Sequence, residues 1–155
     1  MITEVAADET TRRAWTRFLR AHAAITRELS TRMEREHGLT LSDFDVLAQL
    51  HAAPDRTLRR IDLARQVLLT ASGITRLLDG LERAGWVTKV RCDADARVSY
   101  AVLTAEGARK FEHARATHWS DVEELFGAHL SDGERRQFDG LLAKLPLAEG
   151  DCRAA

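Results

Sequence analysis

The chain is poor in cysteine and proline. Cys92 and Cys152 are its only cysteines, and neither belongs to a CxxC or CxxxH pattern. That excludes a disulfide framework and favours a reducing, cytoplasmic setting. The two prolines, Pro54 and Pro146, fall at apparent element ends, where a residue without an N–H is tolerated. No apolar run approaches the ~18 residues of a membrane span. Residues 1–11 carry Glu4, Asp8 and Glu9 where a signal peptide would carry a basic segment and then an apolar one. Neither a membrane nor export is expected. The six histidines are scattered, and His113 and His118 stand five apart, off the i, i+4 spacing of two ligands on one helix face. Solvated or core-edge histidines are expected rather than a zinc site. No phosphate loop, nucleophile elbow or paired-acid constellation is visible, so neither an enzyme nor a cofactor is expected.

What is present is a chain of 155 residues, 45% hydrophobic and 30% charged, the balance of one soluble domain with a core. Its 23 Lys and Arg against 24 Asp and Glu leave a net charge of -1. Averaged over the chain, that argues against a nucleic-acid partner, whose usual footprint is basic.

Local patterning says more. From Glu9 to His37, the residues Trp15, Phe18, Leu19, His22, Ile25, Leu29 and Met33 recur at steps of three and four, and Gly38 closes the stripe. At ~1.5 Å per residue such a helix is roughly 40 Å long, more than one small domain covers, so a partner chain is expected. Thr40-Leu-Ser-Asp43 is a Thr/Asp capping pattern ahead of Phe44, Leu47 and Leu50, and this second helix stops before Pro54. Thr57 is expected to cap a third helix carrying Leu58, Ile61, Leu63, Ala64, Val67 and Leu68. Thr70 restarts a fourth at Ala71, with Ile74, Leu77, Leu78 and Leu81 inward and Gly85 past its end. The tight corner between these two helices is helix-turn-helix geometry. Residues 86–91 and 98–103 are β-prone runs around a polar tip at 92–97, which reads as a hairpin with a loop of several residues. Thr104 caps a long fifth helix, and Ser131-Asp-Gly-Glu134 is a capping box that opens a sixth.

The expected fold is therefore mainly α with a small β-hairpin wing. A winged helix-turn-helix core over residues 40–103 is flanked by N- and C-terminal dimerisation helices, 9–37 and 104–146. In such a fold the fourth helix enters the major groove of double-stranded DNA, and the hairpin tip meets the backbone or the next minor groove. Ser72, Thr75 and Arg76 lie in the first turns of the inserted helix, where side chains reach base edges. The plainer readings are an Arg76–Asp79 helix pair, exposed polar residues at 72 and 75, and an Arg97 salt bridge to Asp93 or Asp95. Charge favours DNA. Between residues 54 and 100, nine basic residues against six acidic ones give +3, leaving -4 for the rest of the chain.

Leu63-Ala64, the run from Leu69 to Val87, Asp95-Ala-Arg97 and Leu103-Thr-Ala-Glu-Gly107 together resemble the MarR family of bacterial transcriptional regulators. The resemblance implies a homodimer, a repressor as the usual role, and recognition helices in successive major grooves of a pseudo-palindromic operator. It carries DNA contact to Ser72, Thr75 and Arg76, and to Asp95 and Arg97 in the wing. Two places depart from the family pattern: Ala96 replaces the first of two wing arginines, and Gly80 replaces an arginine after Asp79. The resemblance also implies modulation by a small aromatic or phenolic ligand, for which Trp15, His22, Asp62 and Arg91 are the candidates. For Trp15 a place in the dimer core is the plainer reading, and for Asp62 support of the helix start. Cys92 is expected to be an ordinary exposed cysteine rather than an oxidant sensor. The alternative function is a winged-helix dimerisation or protein-interaction module without specific DNA binding.

Overall fold

A computed structural model describes residues 8–67, 71–91 and 98–146; the side chains of Ala71 and Ser72 are outside it. Helix α1 spans Glu9–His37. Asp8 caps it by accepting from the Thr11 N–H at 2.7 Å, and Gly38 ends it in the left-handed conformation, φ 62°, which costs glycine little. Helix α2, Leu41–Ala52, opens with the reciprocal box expected of Thr40 and Asp43. Its Val46, Leu47 and Leu50 are completely buried.

The next stretch corrects the expected third helix. Thr57–Arg59 is a strand, β1, and helix α3 begins only at Arg60 and runs to Gln66. The Thr57 hydroxyl donates to the Asp55 carbonyl, so it caps nothing. β1 pairs antiparallel with a strand some forty residues later, Leu58 opposite Ala101. Those interstrand bonds, together with burial of Leu58 against the core, override its local helical pattern. The Pro54–Arg56 turn ahead of it holds Asp55 and Arg56 at φ 51° and 53°, two successive left-handed residues without glycine.

Helix α4, Ala71–Arg83, starts where expected; the proposed Thr70 cap and Leu68 lie outside the described residues. Strands β2, Val87–Arg91, and β3, Ser99–Leu103, form the expected hairpin. The sheet order is β1-β3-β2, with Val87 opposite Leu103 and Arg91 opposite Ser99. The tip, with Cys92, Asp95 and Arg97, lies outside the described residues. Thr104 then caps helix α5, Ala105–Leu125, accepting from the Gly107 N–H while its hydroxyl donates to the Gly85 carbonyl at 2.7 Å. Position 107 has no room for a side chain, because a Cβ there would overlap the Trp86 carbonyl. Helix α6, Asp132–Leu142, carries the expected Ser131/Glu134 box.

The core collects Leu47, Leu63, Ile74, Leu78, Ala101 and Phe111, so it joins α2, α3, α4, the sheet and the first half of α5. α1 enters it only near its C-terminal end, with Met33, and α6 buries nothing. Two anchors fix that end of α1. Arg32 reaches Asp121 at 2.8 Å and Glu124 at 3.0 Å on α5. Lys110 donates to the His37 carbonyl at 2.5 Å while its ammonium lies 5.0 Å from the Trp86 ring centroid. No helix among the described residues is long and apolar enough to cross a membrane.

Candidate nucleic-acid interface

Helix α4 sorts its side chains by the 100° turn per residue. Ile74, Leu78 and Leu81 point into the core and are almost completely buried. Arg76 stands on the opposite face and is exposed, and the Ser72 side chain is outside the described residues. Thr75, Asp79 and Glu82 form a third line, along the flank between these two.

That flank faces the hairpin. Lys89 on β2 donates to Asp79 Oδ1 at 2.5 Å and pairs with Glu82 Oε2 at 2.7 Å, while its backbone N–H donates to Glu82 Oε1. The hydrogen-bonded ammonium holds both carboxyls below their ordinary range, and they raise the lysine in turn. Two acids that would otherwise repel a phosphate chain are thereby neutralised in part, and the wing is tied to the helix. Asp79 is thus taken by Lys89, and no ion pair joins it to Arg76. Thr75 is half-buried and accepts from Arg60 Nη1 at 3.4 Å. Sequence reasoning did not find Arg60 or Lys89. The signal for Lys89 was available in the alternation of β2, which sends Val87 and Lys89 to one side.

The four effector candidates are not brought together within one chain. Trp15, 59% exposed, lies 6.2 Å from the Phe18 ring, and Phe18 stacks on His22 at 6.4 Å. Asp62 sits in the first turn of α3, 4.0 Å from Arg65, and Arg91 ends β2, exposed. Among the described residues no hydrogen bond, ion pair or ring contact joins the α1 pair to Asp62 or Arg91. His22 does line a groove of about 750 Å³ between α1 and the α5–α6 corner, with Phe18, Ile25, Phe126, Phe138 and Leu142.

Two histidines behind the interface are packed rather than solvated. His37 is 8% exposed, its Nε2 has no hydrogen-bond partner, and its ring meets His113 edge-on at 5.3 Å. His118 Nδ1 is likewise unpaired, against Phe44 at 4.6 Å. Burial pushes both below the ordinary histidine value; for His37 the neighbouring His113 and Lys110 add to it, against Glu36 and Asp121.

Comparison with known proteins agrees with this geometry. A family model described as the MarR family matches residues 37–98. The HTH-type transcriptional repressor YetL of Bacillus subtilis (strain 168) is 33% identical over 108 residues, 70% of this chain and 64% of its own length. The uncharacterized HTH-type transcriptional regulator YkoM of the same organism is 31% identical over 127 residues, 82% of this chain and 80% of its own. The crystal structure of AbsC, a MarR family transcriptional regulator from Streptomyces coelicolor, superposes with a TM-score of 0.81 at 25% identity, covering 88% of this chain and 92% of that one. That of Sco3205, a MarR family regulator from the same organism in complex with DNA, gives 0.83 at 22% identity, over 89% and 90%.

Proposed function

This chain belongs to the MarR family of transcriptional regulators, and we propose that it acts as a homodimeric repressor that binds a specific double-stranded operator. The observation that carries the reading is the outward face of α4. Arg76 stands exposed on it, opposite the buried Ile74 and Leu78, while the acids on the adjoining flank are occupied by Lys89. Ser72, Thr75 and Arg76 contact base edges, with Arg76 suited to bidentate pairing with guanine. Asp95 and Arg97 carry the wing contact, Asp95 orienting the arginine.

Dimerisation is supported by an apolar surface that one chain leaves uncovered. Trp15, Leu19, Leu141 and Leu145 are 44–59% exposed on α1 and in and beyond α6. The groove lined by Phe18 and Phe138 continues that surface. A dimer joined there presents two α4 helices to successive major grooves of a pseudo-palindrome. A small aromatic effector acts through differential affinity for two spacings of those helices. Trp15 and His22 contact it from α1, and Asp62 and Arg91 from the winged region.

The test is titration of a duplex selected from a random-sequence pool, with wild type and Arg76→Ala. The expected loss for Arg76→Ala is roughly 1–3 kcal/mol, with relaxed preference at one base position. Equal binding of selected and scrambled duplexes by both proteins would instead favour the interaction module. Light scattering that gives a monomer sinks the dimer.

A further inference from the structure

When α4 lies in a major groove and the hairpin tip in the neighbouring minor groove, one sugar-phosphate strand separates the two grooves and crosses the cleft between α4 and the hairpin. The walls of that cleft are on view. One is the Thr75–Asp79–Glu82 flank of α4. The other is the inner side of β2, where Val87 is buried and Lys89 reaches the helix, while Thr88 and Val90 face outward. By the two-residue period of a strand, Arg91 falls on the inner side with Lys89, about 6.6 Å further toward the tip. Asp79 and Glu82 lie beside Lys89, and Thr75 is four residues back from Asp79, about 6 Å along the axis. Arg91 therefore lies on the Thr75 side of Lys89, toward the end of the cleft where Arg60 stands 3.4 Å from the Thr75 hydroxyl. Arg60 and Arg91 are both exposed. In the deeper half of the cleft Lys89 pairs with two carboxylates, so the free positive charge stands at its mouth.

We propose that Arg60 and Arg91 grip the sugar-phosphate strand that runs between the recognition helix and the wing. This rests on the DNA-binding reading and reassigns Arg91 from the effector to the DNA. The two arginines are backbone contacts, so they contribute affinity and register but no base preference. Lys89 keeps the cleft from repelling the strand.

The experiment measures binding against salt concentration on the selected duplex and on a scrambled duplex of the same length. Arg60→Gln and Arg91→Gln are each expected to lower the slope of log K against log salt by about 0.9, and together by about 1.8. Both should weaken the two duplexes by equal factors. Arg60→Lys and Arg91→Lys should keep the wild-type slope, and Arg109→Gln on α5, outside the cleft, should leave it unchanged. Circular dichroism and the unfolding midpoint show that each variant is folded. An unchanged slope in the two glutamine variants overturns the proposal. So does a loss confined to the selected duplex, which would make Arg60 a reader of bases through Thr75. If the pool yields no preferred sequence, the operator reading fails, and the slopes on scrambled DNA still decide Arg60 and Arg91.

Discussion

The winged region and the outer helices solve the burial problem differently. In the first, Leu47, Leu63, Ile74 and Phe111 are each no more than 1% exposed, and the apolar sides of five elements meet in one cluster. In the second, Trp15, Leu141 and Leu145 are more than half exposed, and α6 contributes no buried residue. One region is complete within the chain. The other has the amphipathic pattern of a core but leaves much of its apolar face exposed, the face on which the proposed dimer would form.

Four substitutions or conditions break or sharpen that contrast. The largest effect is expected in the complete region. Phe111→Ala removes a fully buried ring packed on Phe44 and His51, and chemical unfolding should show a loss of roughly 3–5 kcal/mol. In the outer region the expected loss lies in association. Phe18→Asp places a charge on the exposed stripe and should weaken dimerisation by about 2 kcal/mol or more in sedimentation equilibrium, leaving the fold of each chain intact. An unaltered dimer would show that this face is not the interface. Thr40→Ala deletes the cap that receives the Asp43 N–H and should cost about 1 kcal/mol of thermal stability.

The smallest and most gradual effect is with pH. His37 and His118 are held neutral below the ordinary value of about 6.5. As pH falls through 6.5 the unfolded chain takes up protons first, so folding stability is complete above that point and declines below it. The decline ends once the folded-state values are passed. A combined His37→Gln and His118→Gln variant should show a flatter stability curve between pH 6.5 and 5; a curve as steep as wild type would locate the dependence elsewhere.

How much was legible in the sequence follows from the range of each interaction. Asp43 with Thr40, Glu134 with Ser131, and the glycines at 38 and 85 act within one or two turns, and their elements begin or end where their chemistry says. β1 is not legible locally, because its three residues continue the helical apolar pattern of α3. A pairing partner 43 residues away, Ala101 for Leu58, decides their state. On the site, the faces of α4 were legible from periodicity. The Lys89 clamp and the Arg60–Thr75 contact were not, because they depend on how α3, α4 and the hairpin fold against one another. The same holds for Arg32, whose partners on α5 lie 89 and 92 residues onward.

The anchoring of α1 has a mechanical consequence. Its last turns are fastened by Arg32 and by Lys110, whose ammonium also rests over Trp86 at the root of the hairpin. Its first half stands clear of the core. The helix is thus a lever some 40 Å long pivoted beside the wing, on which a tilt of about 5° at the pivot displaces the far tip by roughly 4 Å. Run backwards, the gearing is a reduction: a displacement of a few ångströms at the Trp15 end arrives at the Trp86 root as a few degrees. Because α6 lines a groove with the same free arm, a grip on that arm is expected to bear on the hairpin root through the Arg32 and Lys110 anchors.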